Sequence, residues 1–89
     1  MFAKLFETES TGQILIKLDS GEGDTEAEVR FYVEPPNLGV CSFAAGFKGD
    51  DAWDKAQALF DKMDEAAAIE TVQPFIASAA QFAPKNEGE

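Results

Sequence analysis

Histidine is absent from the 89 residues, and cysteine occurs once, at Cys41. Without an imidazole, the Ser-His and Cys-His routes to an activated nucleophile are closed. Cys41 lies in an apolar stretch with no identifiable base beside it and reads as a structural thiol. A lone cysteine makes no internal disulfide, so core packing must supply the stability that staples give small secreted domains, consistent with a reducing compartment. Long apolar runs are missing too: none approaches the roughly 18–20 residues needed to cross a bilayer. Met1-Phe2-Ala3-Lys4-Leu5-Phe6-Glu7 turns polar before a signal-like apolar region develops. A cytoplasmic location is the expectation.

Basic side chains are scarce. Seven Lys and Arg face seventeen Asp and Glu, a formal charge of -10. A surface of that sign repels phosphate backbones and anionic lipid heads, which disfavours direct nucleic-acid or membrane binding. The same field attracts and orients a basic protein, including the basic groove of an enzyme that itself handles DNA or RNA.

What is present is enough for one core. Apolar residues make up 45% of the chain, with eight Phe, one Trp and one Tyr, a normal globular proportion. Gln13 to Asp19 alternates with period two, setting Ile14, Ile16 and Leu18 on one side. Ala27 to Glu34 repeats the alternation, with Ala27, Val29, Phe31 and Val33 inward and Glu28, Arg30, Tyr32 and Glu34 outward. The short glycine-containing link between them predicts an antiparallel hairpin. Pro35-Pro36-Asn37-Leu38-Gly39 makes a tight return, since proline donates nothing to a ladder. Val40 to Phe47 reads as a further strand, apolar on both faces and so expected to be central or covered. Phe2 to Glu7 is a weaker edge strand.

Asp50 is the expected N-cap of a helix whose Ala52, Trp53, Ala56, Leu59, Phe60, Met63 and Ala67 share one face, while Asp50, Asp54, Asp61 and Glu65 share the solvent side. Pro74 costs about 3 kcal/mol inside a helix, which predicts a break near residues 69–73 and a short second helix from Pro74 to Phe82. The expected fold is therefore α+β: a four-stranded antiparallel meander packed against one long helix and a short C-terminal helix. It forms a single domain over residues 1–82, with a flexible tail at 83–89.

No motif carries chemistry. Asp50-Asp51-Ala52-Trp53-Asp54 has an aspartate-rich spelling, but magnesium-dependent diphosphate chemistry needs further ligands and an enclosed cavity. Asp19 to Glu28 collects five acids without a basic residue, yet lacks the ordered ligand positions and terminal bidentate Glu of a helix-loop-helix calcium site. Gly46-Phe47-Lys48-Gly49 has too few glycines, and no hydroxyl after its Lys, for a phosphate loop. The expectation is no enzyme, no cofactor and no metal.

The residues that point outward favour a protein-binding module. Asp19, Glu22, Asp24, Glu26 and Glu28 on the hairpin, with Asp50, Asp54, Asp61 and Glu65 on the helix, form the anticipated contact surface for a basic partner. Arg30 and Tyr32 add anchors of the kind enriched at interfaces. Such a module could act as an inhibitor, placing carboxylates where the phosphates of a nucleic acid would otherwise lie; small inhibitors made by viruses or mobile elements fit this description. The alternative is a self-associating or accessory subunit, a homodimer among the options, joined through Leu15 and Tyr32 or a free sheet edge.

Overall fold

The hydrophobic pattern resolves into two layers. The computed structural model describes residues 2–20, 25–36 and 38–82. Strands β1 (Phe2–Thr8), β2 (Gly12–Ser20), β3 (Glu26–Glu34) and β4 (Cys41–Lys48) form one antiparallel sheet in the order β1-β2-β3-β4. Helices α1 (Ala52–Lys62) and α2 (Glu65–Phe82) follow and pack against one face of it. The expected meander and α+β class are what the chain adopts. The proposed tail at 83–89 and the hairpin acids Glu22 and Asp24 lie outside the described residues.

Register follows from the period-two patterns. Ile14, Ile16 and Leu18 pair with Val33, Phe31 and Val29, so one face of the two central strands is continuously apolar and fully buried. A slip of one residue would turn all of them to water, which is why the register is strongly specified. Phe31 stacks on Phe43 of β4 with ring centroids 4.7 Å apart, and Phe43 meets Phe75 of α2 at 4.3 Å. That column ties β3, β4 and α2 together.

Two glycines permit the turns. Gly12 has φ +73°, and a Cβ there would collide with the Glu34 carbonyl oxygen of β3. Only glycine allows the β1–β2 turn to approach β3 so closely. Gly49, at φ +111°, donates its N–H to the Thr25 carbonyl at 2.8 Å, joining the start of the helical layer to the end of the β2–β3 hairpin.

Three local expectations are corrected. β4 is an edge strand: Cys41, Phe43, Ala45 and Phe47 are half-buried beneath the helices, while Ser42, Ala44 and Gly46 lie exposed on the other face. Its doubly apolar reading came from small residues, not from burial on both sides. The helix cap falls at Asp51 instead of Asp50, with no side-chain cap bond.

The third correction is the helix break, which comes at Met63–Asp64 and not at 69–73, so the second helix is the longer one. Two contacts place it there. Lys4 of β1 donates to the Phe60 carbonyl at 2.7 Å, which also accepts the Met63 N–H at 3.1 Å, and to the Met63 carbonyl at 3.1 Å, supplying donors to the carbonyls at the end of the helix. Asp64 Oδ1 accepts the Ala67 N–H at 2.8 Å and so caps α2. Pro74 then sits inside α2. Its missing hydrogen bond is offset by an apolar face that runs straight through it: Ala68 and Val72 are buried before the proline, and Phe75 and Ile76 pack on the core after it.

Candidate functional site

Because both helices lie on the same side, the sheet keeps one open face. Its side chains fall into cross-strand rows fixed by the register. The middle row is Leu5–Leu15–Tyr32–Ser42. On one side of it lies Ala3–Lys17–Arg30–Ala44, and on the other Glu7–Gln13–Glu34. Leu5 is 61% exposed and Val40, beside the middle row, 66%. Together with Leu15, Tyr32, Gln13, Val33 and Glu34 of the central strands, they line a shallow depression of about 340 Å³. The apolar area on this face, anticipated from Leu15 and Tyr32, is therefore larger than those two residues. Leu5 and Val40 were missed because each reads, in sequence, as part of an ordinary strand pattern.

Part of the hairpin's charge is compensated on the open face. Asp19 stands opposite Glu28 and Lys17 opposite Arg30, so the four make a formally neutral quartet on the open face. Arg30 Nε donates to Glu28 Oε2 at 3.0 Å. That hydrogen bond and the Glu28 charge hold the guanidinium above its ordinary pKa against the cost of desolvation, with lesser contributions from Tyr32 and Asp19. Glu26 pairs in register with Lys48.

The helical layer is different. Asp50, Asp51, Asp54, Asp61, Asp64, Glu65 and Glu70 are all exposed on residues 50–70, where the only cations are Lys55 and Lys62. Lys55 binds Asp51 at 3.4 Å, an exposed pair worth about 0.3–0.5 kcal/mol. Among the described residues, ion pairs form only at Glu28 and Asp51. Asp54 and Asp61 are two turns apart on α1, about 10 Å by the helical rise. Asp50 precedes that helix and Glu65 begins the next, so the four carboxylates expected to share one helical line are instead spread over both helices and the turn before them. Asp64 and Glu70, not singled out from the sequence, are exposed on the same helical layer. Their inclusion depends on where α1 ends.

Trp53 is half-buried, with its ring 6.1 Å from that of Phe2, and belongs to the margin of the core. Cys41 is half-buried with Sγ 3.6 Å from the Gly39 carbonyl. Among the described residues, no three His, Cys, Asp or Glu side chains converge as metal ligands, and no helix is long and apolar enough to cross a membrane. Comparison with family models, curated proteins and solved structures gave no match.

Proposed function

We propose that this chain is a protein-binding module whose helical layer recognises a basic partner. The observation that carries the reading is the exposed set Asp50, Asp54, Asp61, Asp64, Glu65 and Glu70, which makes no ion pair among the described residues. Carboxylates in that state remain hydrated and available. Their combined potential steers a cationic surface toward the helices and orients it on arrival. The hairpin acids Asp19, Glu26 and Glu28 contribute less, since Lys17, Arg30 and Lys48 lie among them.

In its inhibitory form, the module covers the partner's nucleic-acid site. Capture from native extract tests both levels. Wild-type chain should recover a basic protein that is released by salt, and the variant Asp54→Asn/Asp61→Asn/Glu65→Gln/Glu70→Gln should not. Neutralising Asp19, Glu26 and Glu28 together should leave most of the capture intact. Competition with DNA or RNA for the recovered protein then separates an inhibitor of nucleic-acid binding from a binder at another site. Equal recovery by the wild type and the helical variant would overturn the reading.

A further inference from the structure

We infer that the open face of the sheet is a self-complementary docking surface for a second copy of this chain, in a two-fold, face-to-face arrangement. The inference is independent of the helical layer, which lies on the opposite side. The order of the rows selects the partner. A two-fold axis lying along the middle row sets Leu15 and Tyr32 of one copy against Leu15 and Tyr32 of the other. Arg30 and Glu34 are each two residues from Tyr32, and Lys17 and Gln13 each two from Leu15, all on this same face. The axis therefore places the basic row of each copy over the Glu7–Gln13–Glu34 row of its mate, Arg30 above Glu34 and Lys17 close to Glu7. The other in-plane axis would stack the Lys17–Arg30 row on its own copy and is disfavoured by like charge. An isologous contact of this kind is apolar along its axis and sets Lys17 and Arg30 near acids of the mate on either side, with Arg30 bridging its own Glu28 and the mate's Glu34.

Aligned packing of two sheets about 10 Å apart is an established way to cover such faces. With strands about 4.8 Å apart and only three central rows engaged, the contact buries on the order of 800–1,000 Å² in total, below the range of stable specific interfaces and in that of weak, transient ones. A dimer in reversible exchange with monomer follows. It would present two acidic helical layers pointing away from each other, one on each outer surface.

Sedimentation equilibrium across a wide concentration range tests this with charge reversal. The wild type should approach twice the 9.6 kDa monomer mass as concentration rises. Arg30→Glu and Glu34→Arg should each weaken association about tenfold, since both symmetric pairs then repel. An equimolar mixture of these two variants should recover it. In the mixed dimer the acid introduced in one copy faces the base introduced in the other, and the native Glu34 of the first faces the native Arg30 of the second. Leu5→Ser, at an exposed position whose loss spares the core, should weaken association while leaving the circular dichroism unchanged. A wild type that stays monomeric at millimolar concentration overturns the inference. So does a dimer indifferent to these substitutions, or a mixture no better than its components. Loss of a basic partner's binding in Leu5→Ser, with a monomeric wild type, would assign the face to that partner instead.

Discussion

Replacing Phe60 with Ala is the sharpest perturbation of the packing that holds the helical layer in place. The ring is 6% exposed, lies edge-on to Phe2 with centroids 6.4 Å apart, and carries the Lys4 ammonium 4.6 Å above its face. Truncating a buried Phe costs about 3–5 kcal/mol through lost transfer energy and the cavity left behind. The cation over the ring adds about 0.5–1 kcal/mol. That is a large fraction of the total stability of about 5–15 kcal/mol usual for a domain, and at the lower end of that range the variant would not stay folded. Urea unfolding followed by Trp53 fluorescence is the assay, since the sole tryptophan lies beside Phe2 at the margin of the same cluster. Phe60→Leu keeps most of the volume and should cost about 1–1.5 kcal/mol. A double-mutant cycle of Phe60→Leu with Lys4→Met then isolates the cation–ring term, with a coupling of about 0.5 kcal/mol or more. A loss below about 1 kcal/mol in Phe60→Ala would refute the assignment of this ring to the core.

Other expectations follow from particular contacts. Gly12→Ala should destabilise by at least about 2 kcal/mol in chemical denaturation, because the new methyl meets the Glu34 carbonyl and the backbone φ is positive. Lys4→Met should cost about 1–2 kcal/mol by removing the donor to the last carbonyls of α1, with the loss seen in hydrogen exchange at residues 60–63. Pro74→Ala should raise both helical circular dichroism and stability, by up to about 3 kcal/mol, since it restores a hydrogen bond inside α2. Thermal midpoints should rise between low and physiological salt, where screening relieves the self-repulsion of a chain with formal charge -10.

The parts of the fold written in local pattern were legible from the sequence. Period-two alternation in Gln13–Asp19 and Ala27–Glu34 fixed both central strands and their inward residues, because burial of one sheet face leaves its mark every second position. The helix boundary was not legible in the same way. It involves Lys4, 56 residues from the Phe60 carbonyl to which it donates, a contact that no local window contains. Pro74 misled for a related reason: its intrinsic cost is local, while the compensating contacts of Val72 and Phe75 are tertiary. β4 looked like an interior strand because Ala44 and Gly46 are too small to mark their face as exposed.

The same division holds for the candidate surfaces. The excess of acid was plain from composition, but its location was not. Asp19 and Glu28 pair in register with each other beside Lys17 and Arg30, which offsets those two of the hairpin's acids. The uncompensated carboxylates of residues 50–70 belong to one layer only because α1 and α2 both pack on a single side of the sheet. The apolar middle row of the open face needed the register of three strands before Leu5, Leu15 and Tyr32 could be seen as neighbours.

The central claim, that the carboxylates of the helical layer bind a basic partner, is tested most directly by the partner's affinity for the wild type and for Asp54→Asn/Asp61→Asn/Glu65→Gln/Glu70→Gln at two salt concentrations. Neutralising the four should weaken binding about 10- to 100-fold at low salt and flatten its dependence on salt. An unchanged affinity, with the fold intact by circular dichroism, would contradict it.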